Sequence, residues 1–130
     1  MIVPRDLHKC AVGECKYVFI TGPDGGILND PVLLRVEEDE FWLSLADSDV
    51  NLYALGIASA KGMNVTVREI DVAPVQVQGP NAKQVMTELF GTSVLDVPYY
   101  GLMRADLNGM QVAFQMSAPK ARMPPSIRRM

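Results

Sequence analysis

The stretch that most constrains this chain is a β-branched and aromatic run, Lys16-Tyr17-Val18-Phe19-Ile20-Thr21-Gly22. It is followed by Pro23-Asp24-Gly25-Gly26 and a second apolar run from Ile27 to Val36. Side chains branched at Cβ and aromatic rings pack well on a pleated surface, so residues 16–22 predict a strand. Proline presets φ for a turn and the paired glycines can take positive φ, so the chain is expected to reverse over 23–26. The outcome is an antiparallel hairpin over 16–36. Pro31 has no N–H to give to a ladder, so the return strand should be irregular, or lie at an edge, at that point. Glu37-Glu38-Asp39-Glu40 reads as a solvated turn, and Phe41-Trp42-Leu43-Ser44-Leu45-Ala46 as the next strand.

The period then changes. Asp47 or Ser48 can cap the first amides of a helix, and Asp49 suits the positive end of its dipole. Val50, Tyr53, Ala54, Ile57 and Ala58 recur at three- and four-residue spacing, which predicts an amphipathic helix ending near Lys61-Gly62. Asn64–Asp71 and Ala73–Gln78 read as two more strands. Gly79-Pro80 opens a second helix, with Pro80 at its first position, where a missing N–H matters little. Ala82, Val85, Met86 and Leu89 would form its buried face, and Gly91 its C-cap. A hairpin of 99–105 and 110–115 follows, turning at Asp106-Leu107-Asn108-Gly109. The order β-β-β-α-β-β-α-β-β predicts an α+β fold with a mainly antiparallel sheet and two helices.

At 130 residues the chain is expected to hold one domain, residues 1–115, with an apolar content sufficient for a core. Residues 116–130 carry three prolines, no alternation and no helical stripe, and read as a disordered or loosely attached tail. The net charge of −3 hides a split. Lys120, Arg122, Arg128 and Arg129 lie in the tail, which leaves eight bases against fifteen acids, or −7, for the body. Phosphate contacts need a basic face, so no nucleic-acid partner is expected. No apolar run spans a bilayer and the start lacks the pattern of a signal peptide, so no membrane association and a cytoplasmic location are expected. His8, Cys10 and Cys15 offer three soft ligands, but structural zinc takes four and the chain has no further His or Cys. They read as ordinary groups near a strand start, with no metal.

Common catalytic signatures are absent. One histidine does not furnish a Ser-His-Asp arrangement without recruitment from the terminus, and neither a Gly-x-Gly-x-x-Gly nor a phosphate-binding loop occurs. Asp30 stands out because it interrupts the apolar run Ile27-Leu28-Asn29-Asp30-Pro31-Val32-Leu33-Leu34. Such a carboxylate must be paired, hydrogen-bonded or exposed in a cleft, and such groups are enriched at functional sites. The residues alone favour the plainer reading, an Asn-Asp-Pro bulge or turn in which Asp30 satisfies nearby backbone amides.

Gly25-Gly26-Ile27-Leu28-Asn29-Asp30-Pro31-Val32-Leu33-Leu34 resembles the Gly-Gly-x-x-(Asp/Asn)-Asp segment of the glycine-cleavage T-protein (aminomethyltransferase) family. Residues 40–49, 71–82 and 97–103 are similar to the branch that holds dimethylsulfoniopropionate demethylases and folate-dependent aromatic O-demethylases. The likeness runs from Val3 to Gln115. It implies a partial folate-binding domain of a methyl (C1) transferase that moves a methyl group from a small donor to tetrahydrofolate, with no metal and no covalent intermediate. Within that resemblance Asp30 is the catalytic position, beside the reacting nitrogen of tetrahydrofolate. Tyr17, Asn29, Ala46, Asp47 and Ser48 are the cofactor-binding positions. Asn29 replaces an acid of true T-proteins and favours the demethylase branch. Beside this stand plainer readings, Tyr17 as a strand-packing residue and Asp47-Ser48 as a helix cap only.

The resemblance also implies missing parts. Family members run to several hundred residues in three domains, and a glutamate downstream of the strand at 112–115 holds the pterin. Met116-Ser117-Ala118-Pro119-Lys120 stands there instead. A shifted reading frame or a clipped gene would give such a tail, and the fragment alone is expected to be inactive or weak. The alternative is a non-catalytic module that forms a homodimer to cover exposed apolar surface.

Overall fold

Strand pairing begins where the sequence is most β-branched. In the computed structural model, which describes residues 2–45 and 49–117, β1 (Cys15–Tyr17), β2 (Ile20–Thr21), β3 (Ile27–Asn29), β4 (Val32–Arg35) and β5 (Phe41–Ser44) come from residues 15–44. The hairpin of 16–36 is present but divided. β1 pairs with β4, and β2 with β3, both antiparallel. The division falls at Pro31, which cannot donate. The Val18 amide instead donates to the Pro31 carbonyl at 3.0 Å, which keeps both pairs in phase. β4 also pairs with β5, giving a three-stranded sheet in the order β1-β4-β5. At the reversal Gly25 has φ +82°, the Gly22 amide donates to the Gly26 carbonyl, and the Asp24 carboxylate accepts the Gly26 amide.

Helix α1 (Val50–Ala60) buries Val50 and Ala58, half-buries Tyr53, Ala54 and Ile57, and exposes Leu52, Leu55 and Ser59, following the expected stripe. Asp49 is its N-cap position, without a side-chain cap hydrogen bond. Val3, Cys10, Val18, Ile20, Leu33 and Val50 form one buried cluster, with Ile2, Leu7, Leu43, Leu45 and Tyr53 packed against it. Each such aliphatic side chain stabilises the fold by roughly 1.5–3 kcal/mol when fully buried. The Tyr53 hydroxyl donates to the Thr21 carbonyl at 3.0 Å and ties α1 to β2.

The chain divides into two compact units, Met1–Gln78 and Gly79–Met130. In the second, α2 (Ala82–Phe90) packs on β6 (Leu102–Leu107), which pairs with β7 (Met110–Gln115). Asn108 and Gly109 both have positive φ, 54° and 85°, the mirror-image turn that matches strand twist. Gly91, at φ 80°, ends α2 as expected, and a 3-10 turn at Thr92–Asp96 buries Val94. The inward stripe of α2 is rotated from the expected one. Ala82, Met86 and Phe90 are half-buried, with Phe90 against Phe114 at 5.3 Å, whereas Val85 and Leu89 are 41% and 49% exposed. The aromatic anchor outweighs the smaller side chains. Pro80 lies in the turn before the helix rather than at its first position.

The antiparallel α+β architecture with two helices is thus observed. Asn64–Asp71 and Ala73–Gln78, read above as strands, carry no ladder among the described residues. Their backbone bonds are local, Val65 amide to Met63 carbonyl and Val72 amide to Ile70 carbonyl, and Val65, Val72 and Val75 are more than half exposed. Alternation gives a segment a face to bury but does not supply the neighbouring strand.

Cys10 and Cys15 are free and buried. Burial pushes the Cys10 thiol above its ordinary value and Cys15 up to about 11. An unfolded thiol releases its proton near 9.0, so between 9.0 and about 11 unfolding releases a proton and rising pH favours the unfolded chain. Stability in urea titrations should be level in this respect below pH 9.0 and fall toward pH 11, and Cys15→Ala should flatten much of that slope.

Candidate functional site

In the antiparallel register Tyr17 lies opposite Val32, so Asp30 is its diagonal neighbour on the same sheet face. An aromatic side chain can span that diagonal. The Tyr17 hydroxyl donates to Asp30 Oδ2, which brings together the two residues singled out at these positions. Phe19, two residues along from Tyr17, meets its ring edge-on at 5.5 Å and an interplanar angle of 79°. Phe19 escaped the sequence reading, although its i+2 spacing from Tyr17 was a signal for a shared face. Arg5 Nη1 donates to the Tyr17 carbonyl at 2.8 Å and fixes β1 from the N-terminal segment. Tyr17 and Phe19 are 40% and 42% exposed, and Asp30 is exposed.

Strand alternation sends Asn29 to the other face. Its side-chain carbonyl accepts the Asp30 amide at 2.9 Å. The local-amide role considered for Asp30 is therefore taken by Asn29, while the Asp30 carboxylate faces Tyr17. Ala46, Asp47 and Ser48 lie outside the described residues. Asp49, next to them, lines an open groove of about 250 Å³ with Leu28, Val50 and Tyr53. A second groove of about 300 Å³ is lined by Thr21, Gly22, Pro23, Tyr53, Ile57 and Lys61. Neither groove includes Asp30 or Tyr17.

His8 is exposed, whereas Cys10 and Cys15 are buried. Among the described residues no group of three or more His, Cys, Asp or Glu could hold a metal ion, and no helix is long and apolar enough to cross a membrane. The chemistry on offer at the sheet face is a carboxylate held by a phenol beside two aromatic edges. Such a group can accept N–H donors of a flat heterocycle and pack against its plane.

The GCVT N-terminal domain model matches residues 1–117. Dimethylsulfoniopropionate demethylase DmdA of Ruegeria pomeroyi is 40% identical over 117 residues, covering 90% of this chain and 32% of that protein. An aminomethyltransferase of Corynebacterium aurimucosum is 34% identical over 99 residues, 70% of this chain and 26% of its own length. Another, from Chlorobaculum parvum, is 28% identical over 99 residues, 73% of this chain and 27% of its length. The chain spans about a third or less of these relatives.

Because the Tyr17–Asp30 contact is solvent-exposed, Tyr17→Phe should lower folding stability by no more than about 1.5 kcal/mol in urea denaturation. A larger loss would show that the hydroxyl bond to Asp30 holds the fold together, since the substitution leaves the ring packing unchanged.

Proposed function

The chain belongs to the GCVT N-terminal domain family, and on that premise we propose that it is part of a tetrahydrofolate-dependent C1 transferase. In this reading a methyl group passes from a small donor to tetrahydrofolate in the cytoplasm, and residues 1–115 are the family-derived body with 116–130 appended. The observation that carries the reading is the hydrogen bond from Tyr17 to Asp30 on an accessible sheet face.

The residues present fit one edge of the cofactor. Asp30 supplies an acceptor for N–H groups, Tyr17 and Phe19 supply aromatic edges, and Asn29 holds the Asp30 backbone. Ala46, Asp47 and Ser48 are further proposed contacts. Tetrahydrofolate, when bound, supplies the nitrogen that takes the carbon unit. The Tyr17 hydroxyl would hold the Asp30 carboxylate in one orientation, so that its free oxygen can orient a ligand N–H without reorganising at the moment of transfer. Positioning from one side only leaves most of the benefit unrealised, so activity of the isolated chain is proposed to be weak or lost. The relationship to DmdA, at 40% identity, supports the demethylase branch over the aminomethyltransferases.

A second reading, a non-catalytic assembly module that forms a homodimer, is favoured by one observation. Val65, Val72 and Val75 are 53%, 56% and 84% exposed on an unladdered segment.

Calorimetric titration with tetrahydrofolate tests the first reading. The expected result is weak binding by the native chain, with a dissociation constant of about 0.1–1 mM, that Asp30→Ala weakens at least about tenfold. Absence of heat at millimolar ligand, or equal binding by the variant, would remove the folate role from this chain or from Asp30 respectively.

A further inference from the structure

β1 is the edge strand of its sheet, and Tyr17 is its last residue. The Arg35 amide donates to the Glu14 carbonyl and the Val18 amide to the Pro31 carbonyl, both at 3.0 Å. Even-numbered residues here therefore turn their backbone groups toward β4. Strand alternation turns the Tyr17 carbonyl the other way, to the open side of the sheet. Pairing opens most readily at such a strand end. The N-terminal segment occupies that side. Arg5 Nη1 donates to the Tyr17 carbonyl at 2.8 Å, and the Thr21 amide donates to the Ile2 carbonyl at 3.0 Å. Val3, 6% exposed in the core cluster, anchors the segment between these two bonds. The backbone that carries Tyr17 and Phe19 is thus held from both sides, by Pro31 on one and by residues 2–5 on the other.

We propose that Arg5 is a positioning residue for the ligand face. Its charge-assisted bond to the Tyr17 carbonyl fixes the end of β1, and through it the direction in which the Tyr17 hydroxyl holds Asp30. The effect is geometric. The phenol oxygen stands at the far end of a rigid ring, so a small tilt of the Tyr17 backbone becomes a larger displacement at Asp30. Groups that orient a ligand lose their advantage through small displacements of that kind. The inference rests on the folate reading for its ligand, but not for the ordering of Tyr17 itself.

Calorimetric titration of the full 130-residue chain with tetrahydrofolate tests this in a double-mutant cycle of Arg5→Ala and Asp30→Ala. Arg5→Ala alone should weaken binding about three- to tenfold, and Arg5→Lys, which keeps a donor of similar reach, should stay within about twofold of native. With Asp30→Ala already in place, Arg5→Ala should change affinity by less than about twofold, because residues that act through one another are not additive. An equal effect in both backgrounds overturns the proposal, as does failure of the lysine variant to rescue. A second readout needs no ligand. Three-bond couplings in isotope-labelled tyrosine should show one χ1 rotamer for Tyr17 in the native chain and averaging in Arg5→Ala, with circular dichroism unchanged. A single rotamer in Arg5→Ala, or loss of its folded signal, overturns the proposal. No heat from the native chain removes the folate reading, and the couplings then decide by themselves whether Arg5 orders the Tyr17–Asp30 pair.

Discussion

The hydrogen bond from the Val18 amide to the Pro31 carbonyl holds the register on which the first unit depends. Pro31 removes a donor from the ladder, and a break there could let the two halves of the hairpin slip. They do not. Tyr17 stays opposite Val32 on one side of the break and Ile20 opposite Asn29 on the other, in the same phase. A slip of one residue would turn Val18, Ile20 and Leu33 out of the core and turn Tyr17 and Asp30 into it. The apolar cluster and the polar pair are thus two consequences of one register. The cost of exposing three buried side chains, several kcal/mol in total, is what fixes the orientation of an exposed carboxylate.

Local patterns proved legible wherever the element carried its own partner. The hairpin at 102–115 encloses its own pairing, and Asn108-Gly109 determines its turn. Helix α1 followed its stripe residue by residue because the sheet it covers is adjacent in the chain. Where the partner is not adjacent, pattern was insufficient. Asn64–Gln78 has the alternation of strands but no ladder among the described residues, and α2 turned toward Phe114 rather than along Val85 and Leu89. Asp30 was legible as an anomaly in an apolar run. Its relation to Tyr17 was not legible from composition, since it depends on a register set by Pro31; family resemblance supplied both positions instead. Asn29, expected from the resemblance to contact the cofactor, accepts the Asp30 amide through its side-chain oxygen.

Two parts of the first unit therefore share a physical condition. The Asn64–Ala73 segment offers backbone groups and alternating valines to water, and the Tyr17–Asp30 face offers a preformed polar pair to water. For the segment, any neighbouring strand would be enough, because hydrogen bonds between strands do not require any other part of a fold. For the polar pair the requirement is different. A unit charge about 4 Å from a carboxylate gains roughly 1 kcal/mol in water but about 4 kcal/mol at the effective dielectric near a protein surface. The gain comes from excluding water, not from adding another functional group. Asp30 already has its orienting partner, and Phe19 and Tyr17 already present aromatic edges. What converts this arrangement from a solvated pair into a site that discriminates a transition state is cover over the face, and cover is a property of additional polypeptide. On the proposed folate reading, a chain spanning 32% of DmdA would carry the orienting half of such a site, and the electrostatic advantage of Asp30 is then expected to scale with how completely the opposite wall is supplied.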